Sequence, residues 1–338
     1  MAQILGLTLL SLFITAILIV PFIDFLYKIK LRRQKQETVD IFNKPTPLFD
    51  KFNGWKVGTP FGGGLLIIFV TTIIFLWSFG MLKVSIHPWE LFVILFTFIS
   101  FGLLGLYDDG KKLINGDRKI AFFGLRFRYK LVLQLVLALV PATILYTQLG
   151  YSFLFIRGIG LTNIGLLYIP FAAFVIVAFA NAFNIADGLD GLASGLLLIA
   201  LVSFLAISYS SVDQGLGVFV AILMGSVAAF LYFNIYKARI WLGDVGSMSL
   251  GASLAIIGLL TGKTLAMVVI GGVFVLEVGS SLIQLLSKRF LGRKIFPVAP
   301  LHLYFLKKGW DEPKIVMRAW LLGAFFAILG LYLTSFSK

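Results

Sequence analysis

The chain runs to 338 residues without a cysteine; 59% of it is apolar and 13% charged, and its formal net charge is +14. A soluble domain carries about 45–50% apolar and about 25% charged residues, so a water-soluble globule is excluded, as are disulfides and thiolate chemistry. Several windows reach the length of a bilayer-spanning helix with few or no charges, and the short alternating strands of a membrane barrel are absent.

The expected fold class is therefore all-α: a polytopic membrane protein of about ten transmembrane helices, one domain over residues 1–338. The expected spans are 4–26, 61–82, 89–107, 130–149, 166–183, 190–211, 215–235, 247–262, 265–287 and 317–336. The first lacks a basic start and is longer than a signal-peptide core, so it reads as a retained helix. Before the second come Lys56 and the run Gly58-Thr-Pro-Phe-Gly-Gly-Gly64. A glycine run opening a helix either cradles phosphate or permits close packing.

After the third span comes Asp108-Asp109-Gly-Lys-Lys112. If the helix continues, Lys112 shares a face with both aspartates. Adjacent carboxylates repel, which makes one of them a candidate base; a solvated helix end with an ion pair is the alternative. The segment 151–165 reads as a short connector or hairpin. At the junction of the fifth and sixth spans, Asn181, Asn184, Asp187 and Asp190 form a polar stripe with Gly188 and Gly191. Polar groups are expensive near hydrocarbon and face a cavity or a partner, whereas helix packing explains only the glycines.

Asn234 and Trp241-Leu-Gly-Asp244-Val-Gly-Ser247 precede the eighth span. Asp244 or Ser247 is expected to cap it, and Trp241 either stacks on a planar ring or anchors the interface. Glu277 lies inside the ninth span, roughly 15 Å along the helix from Lys288, and reads as structural. His302 follows in the last loop, with Asp311 and Glu312 behind it. Carboxylates and amides suit Mg2+, a hard cation that prefers oxygen ligands and keeps water. With two histidines in the chain, His302 reads as a proton donor, phosphate partner or structural hydrogen-bonder.

The loops alternate sides. The set 27–60, 108–129, 184–189, 236–246 and 288–316, with its span edges, holds every Lys and Arg except Lys83, Arg157, Lys263 and Lys338, hence 29 less four, or 25. The positive-inside rule puts this set in the cytoplasm and both termini outside. The same bias accounts for the net charge without nucleic acid, since basic juxtamembrane loops attract anionic membrane lipids. All four acidic clusters fall on that one side, and helix N-termini there favour phosphate.

In order and spacing, residues 50–320 resemble the polyprenyl-phosphate sugar-1-phosphate transferase family. Gly105-Leu-Tyr-Asp-Asp109 with Lys112, Arg128-Tyr-Lys130 with Gln134, Asn181-Ala-Phe-Asn-Ile-Ala-Asp-Gly-Leu-Asp-Gly-Leu-Ala193, Phe233-Asn234, Gly243-Asp-Val-Gly-Ser247 and Phe-Val-Leu-Glu277 carry the resemblance. Ala299-Pro-Leu-His302, Lys308-Gly-Trp310 and Glu312-Pro313 are similar to its phospho-N-acetylmuramoyl-pentapeptide transferase branch. Two departures stand out. His302-Leu303-Tyr304 replaces a run of three histidines, and Pro60-Phe-Gly-Gly-Gly64 replaces Pro-Thr-Met-Gly-Gly.

The resemblance implies transfer from UDP-N-acetylmuramoyl-pentapeptide to undecaprenyl phosphate, giving lipid I and UMP with Mg2+ at the plasma membrane, and a homodimer. Asp244 is then the metal ligand, with Asn184 beside it as a second candidate. Asp108 and Asp109 position or deprotonate the lipid phosphate, and Lys112 and Lys130 neutralise charge. Lys56, Asn184, Asp187 and Asp190 hold the nucleotide donor, with Trp241 against uracil, and Asn234 and His302 support the diphosphate. One-step displacement and a covalent phospho-enzyme are both compatible. The rival expectations are a sibling enzyme using UDP-N-acetylglucosamine or another UDP-sugar, and a membrane transporter.

Overall fold

The computed structural model describes residues 2–33, 54–82, 84–114, 127–156, 160–210 and 214–335. Lys83, Arg157 and Lys338, and the stretches 34–53 and 115–126 of two basic loops, lie outside the described residues. Twelve α-helices run in chain order among those described: α1 Ala2–Lys28, α2 Gly63–Leu82, α3 Pro88–Ile114, α4 Phe127–Thr147, α5 Tyr168–Ala186, α6 Leu192–Ser210, α7 Gln214–Asn234, α8 Gly243–Leu260, α9 Thr264–Ile270, α10 Gly272–Phe290, α11 Leu301–Lys307 and α12 Glu312–Ser335. The connector forms an antiparallel hairpin of β1 Phe153–Ile156 and β2 Gly160–Asn163.

The protein is an all-α polytopic membrane protein. Among the described residues, eight helices are long and apolar enough to cross a bilayer, and a ninth crossing results if the bent pair α9–α10 counts as one. The remaining expected span, 190–211, corresponds to α6, which has a shorter apolar stretch, Leu192–Ser208.

The ninth span departs from the straight helix expected over 265–287. It breaks at Gly271 and turns by 81°. A Gly271-Gly272 pair supplies little to oppose such a break. The bend re-aims Glu277, because distance along α10 no longer measures depth below the membrane surface.

α8 sits at the centre. Every residue from Val245 to Leu260 is buried, against α3 and α5 above all, and against α2. Its serines and glycines keep it slim, which lets neighbouring backbones close in around it. Leu5, Phe13, Ile17, Phe69, Phe174 and Leu321 point outward from other helices, as lipid-facing side chains do.

Candidate active site

The site gathers at the bundle end where α3, α5 and α7 finish and α4, α6, α8 and α12 begin. α3 continues past its apolar run to Ile114, so the expected spacing is realised: Lys112 Nζ lies 3.5 Å from Asp108 and 3.2 Å from Asp109. The same ammonium reaches Asp244 Oδ2 at 2.8 Å. Lys130, in the first turn of α4, meets Asp108 at 3.3 Å and Asp244 Oδ2 at 2.9 Å. A helix N-terminus disfavours a cation, and these two carboxylates offset that penalty.

Asp244 and Ser247 do not cap α8 as expected. The helix begins at Gly243, Leu242 occupies the cap position without a side-chain bond, and Asp244 stands in the first turn. There its charge still suits the helix dipole, and its oxygens are free to face across the site. Asn184, at the end of α5, donates to Asp244 Oδ1 at 2.9 Å and to Ser247 Oγ at 2.7 Å. The backbone N–H of Val245 donates to Asp109 Oδ2 at 3.2 Å. Asp108, Asp109, Lys112, Lys130, Asn184 and Asp244 thus form one charged cluster from four helices. Behind it, Asn181 donates to Gln134 at 2.7 Å.

A second node lies alongside. Lys56 is 1% exposed and pairs with Glu312 at 2.6 Å and Asp190 at 3.3 Å. Its ammonium also lies 4.8 Å from the Trp241 ring centroid, and Arg33 lies 5.0 Å from it. Glu312 accepts from the Asp190 N–H at 2.6 Å, and Asp190 accepts from the Ala238 N–H at 2.9 Å. Asn234 accepts from the Gly191 N–H and Ser194 Oγ and donates to the Ile240 carbonyl. Asn234 and Asp190 therefore tie the 187–191 turn to the 236–241 loop. Glu312 was given no role among the expected site residues, although it stands in the acidic cluster behind His302 and in the Glu312-Pro313 match; it lies in the first turn of the last helix.

Asp187 is half-buried beside this turn. Loss of water, and next the negative charge of Asp244, push its carboxyl well above the usual carboxylate range, with Lys56 pulling the other way. For a carboxyl raised on folding, the native state loses stability as pH climbs from the unfolded value of about 3.9 toward the raised one. Asp187→Asn is therefore expected to raise the unfolding midpoint at neutral pH by a few degrees and to flatten its pH dependence. Unfolding in detergent across a pH series checks this.

The glycine run is engaged in packing rather than left open for phosphate. The N–H groups of Gly63 and Gly64 donate to the carbonyls of Trp241 and Leu242 at 2.8 and 3.0 Å, and Trp241 N–H donates back to Pro60. His302, in α11, is buried and meets Glu277 of α10: Nδ1 lies 3.0 Å from Oε2, and the His302 N–H faces Oε1 at 3.2 Å. Glu277 is thus a partner of a site candidate, not a remote structural group.

Fold and site together define a class: a multi-pass membrane enzyme with its carboxylates and ammonium groups assembled at one end of the bundle. The profile of glycosyl transferase family 4 matches residues 91–262. The chain is similar to the phospho-N-acetylmuramoyl-pentapeptide-transferase of Geobacillus sp. (strain WCH70), at 35% identity over 96% of this chain and 95% of that protein. It is also similar to the proteins of that name from Pelagibacter ubique, at 34% over 95% of this chain and 90% of the relative, and from Limosilactobacillus reuteri, at 35% over 96% and 95%. The chain belongs to the phospho-N-acetylmuramoyl-pentapeptide-transferase family and is a membrane transferase.

Proposed function

We propose that the protein transfers phospho-N-acetylmuramoyl-pentapeptide from its UDP derivative to undecaprenyl phosphate, yielding lipid I and UMP, at the cytoplasmic face of the plasma membrane. The observation that carries this reading is the convergence of three carboxylates on Lys112, with Lys130 beside them, in a chain whose relatives bear that enzyme's name. In the reaction an oxygen of the lipid phosphate bonds to the phosphorus carrying the sugar. The bond from that phosphorus to the UMP oxygen breaks, and its electron pair leaves with UMP. Catalysis of such a transfer is mainly positioning and charge neutralisation.

The chemistry of the donor set fits Mg2+. Among the described residues no three histidine, aspartate or glutamate side chains form a ready-made cage. Mg2+ typically binds through one or two carboxylates plus substrate phosphates and keeps several waters. Asp244 is the residue to hold it, with Asn184 as the amide that orients Asp244. When bound, the ion supplies charge neutralisation across the diphosphate.

The chain's own residues do the rest. Lys112 and Lys130 exchange carboxylate partners for phosphate oxygens, and Asp108 and Asp109 orient the acceptor phosphate. Lipid phosphate has a second pKa near 6, so it needs no strong base at neutral pH. The 187–191 turn, backed by Lys56, Asp190 and Asn234, receives the nucleotide donor. The transporter reading is disfavoured because the charged groups gather at one end of the bundle instead of tracing a path through it. With α6 counted as a further crossing and the basic loops cytoplasmic by the positive-inside rule, both termini lie outside.

UMP release from UDP-N-acetylmuramoyl-pentapeptide is expected to require both undecaprenyl phosphate and Mg2+, to stop with EDTA, and to return when Mg2+ is restored. Chromatographic detection of UMP and of the lipid product measures this. Preferential turnover of UDP-N-acetylglucosamine would assign the sibling activity; release without the lipid acceptor would remove the proposal.

A further inference from the structure

His302 is 2% exposed and Glu277 5%, and the two meet where α11 packs against α10. Glu277 binds both the backbone N–H and the ring Nδ1 of His302, so position and ring rotation are set by one carboxylate. A carboxylate oxygen accepts, which places the proton on Nδ1 and leaves Nε2 as the working atom of the ring. Among the described residues Nε2 has no hydrogen-bond partner. It faces Gly188 so closely that a Cβ there would lie 2.6 Å from it. On its other side the Gly188 peptide is held by Lys56, whose ammonium donates to its carbonyl at 3.3 Å. A ring nitrogen without a hydrogen-bond partner, on a buried side chain, is thus aimed at the turn that carries Asp187 and Asp190.

We propose that Glu277 is a positioning residue for the transfer reaction, holding the His302 ring through Nδ1–H so that, as the imidazolium, its Nε2–H donates to an anionic oxygen of the donor at the Asp187–Gly188 turn, with Gly188 reserved as the one residue small enough to admit the ring. This rests on the transferase reading above. Glu277 touches no substrate; it acts through His302. Replacing an orienting carboxylate by its amide offers the ring N–H donors where it had acceptors, and so disturbs the tautomer while conserving shape.

The test is a double-mutant cycle on the full-length protein in detergent with lipid acceptor. E277Q and H302A are each expected to lower kcat roughly 10²-fold, the scale of one proton-handling side chain, with a smaller change in donor KM. The double variant is expected to be no worse than H302A alone, since residues acting as one unit are not additive. G188A, which crowds the ring, is expected to impair the wild type but add nothing in the H302A background. It carries the same test should E277Q fail to fold by unfolding midpoint and monodispersity. Multiplying defects in either cycle, or an E277Q kcat within threefold of wild type, overturns the proposal. If the wild type itself releases no UMP, the transferase reading fails instead.

Discussion

Asp244→Asn is expected to abolish transfer, by at least about 10³-fold, in a protein that still inserts and folds. Asp244 Oδ2 is the point at which Lys112 and Lys130 meet, and Oδ1 is oriented by Asn184. An amide has nearly the same shape, so the packing of α8, buried from Val245 to Leu260, is retained. The charge is not. One neutral oxygen cannot balance two ammonium groups or serve as the principal anionic ligand of Mg2+, and the amide N–H₂ points its own donors at cations or at Asn184. Transition-state charge is stabilised most by groups already fixed in place, so the loss falls on kcat. Initial-rate measurement of UMP release, with unfolding midpoints beside it, checks the result. A variant retaining a tenth of wild-type kcat would remove Asp244 from the metal site.

Gly105→Ala is expected to cost roughly 10²-fold in activity without touching any charged group. Gly105 packs directly on the backbone of Asp244, and an added Cβ would overlap the Asp244 carbonyl. The contact joins backbone to backbone, so no flexible side chain can move aside. α3 must retreat from the start of α8, carrying Asp108 and Asp109, one turn on, away from Asp244 and Lys112. A misplacement of about 1 Å in a reacting constellation costs about 10²-fold. Comparing kcat for G105A with that for an alanine substitution at exposed Gly80, where an added Cβ meets nothing, isolates the effect. Equal activities would show that the α3–α8 approach does not set the geometry.

Composition alone makes the architecture legible, because a bilayer imposes long uncharged helices and leaves few alternatives. Helical spacing likewise brings Lys112 onto Asp108 and Asp109, since a local period needs no tertiary knowledge. Other features depend on pairings that spacing cannot reach. Lys56 and Glu312 meet across 256 positions, and His302 and Glu277 meet across 25, from two different helices. The polarity of Glu277 within an apolar run announces a partner without naming it. The Gly63 and Gly64 amides look available in the sequence, yet they are consumed by Trp241 and Leu242. The Asp244 cap failed for a related reason: α8 starts at Gly243, earlier than its apolar run, which puts Asp244 inside the first turn.

The enclosure of α8 also bears on how such an enzyme evolves. The carboxylate that joins Lys112 and Lys130 is mounted on the helix with the least room for drift, because substitutions along it disturb several neighbours at once. Heritable change in donor preference is therefore expected in the surrounding turns rather than along α8. The scaffold conserves the chemistry and leaves novelty to the periphery.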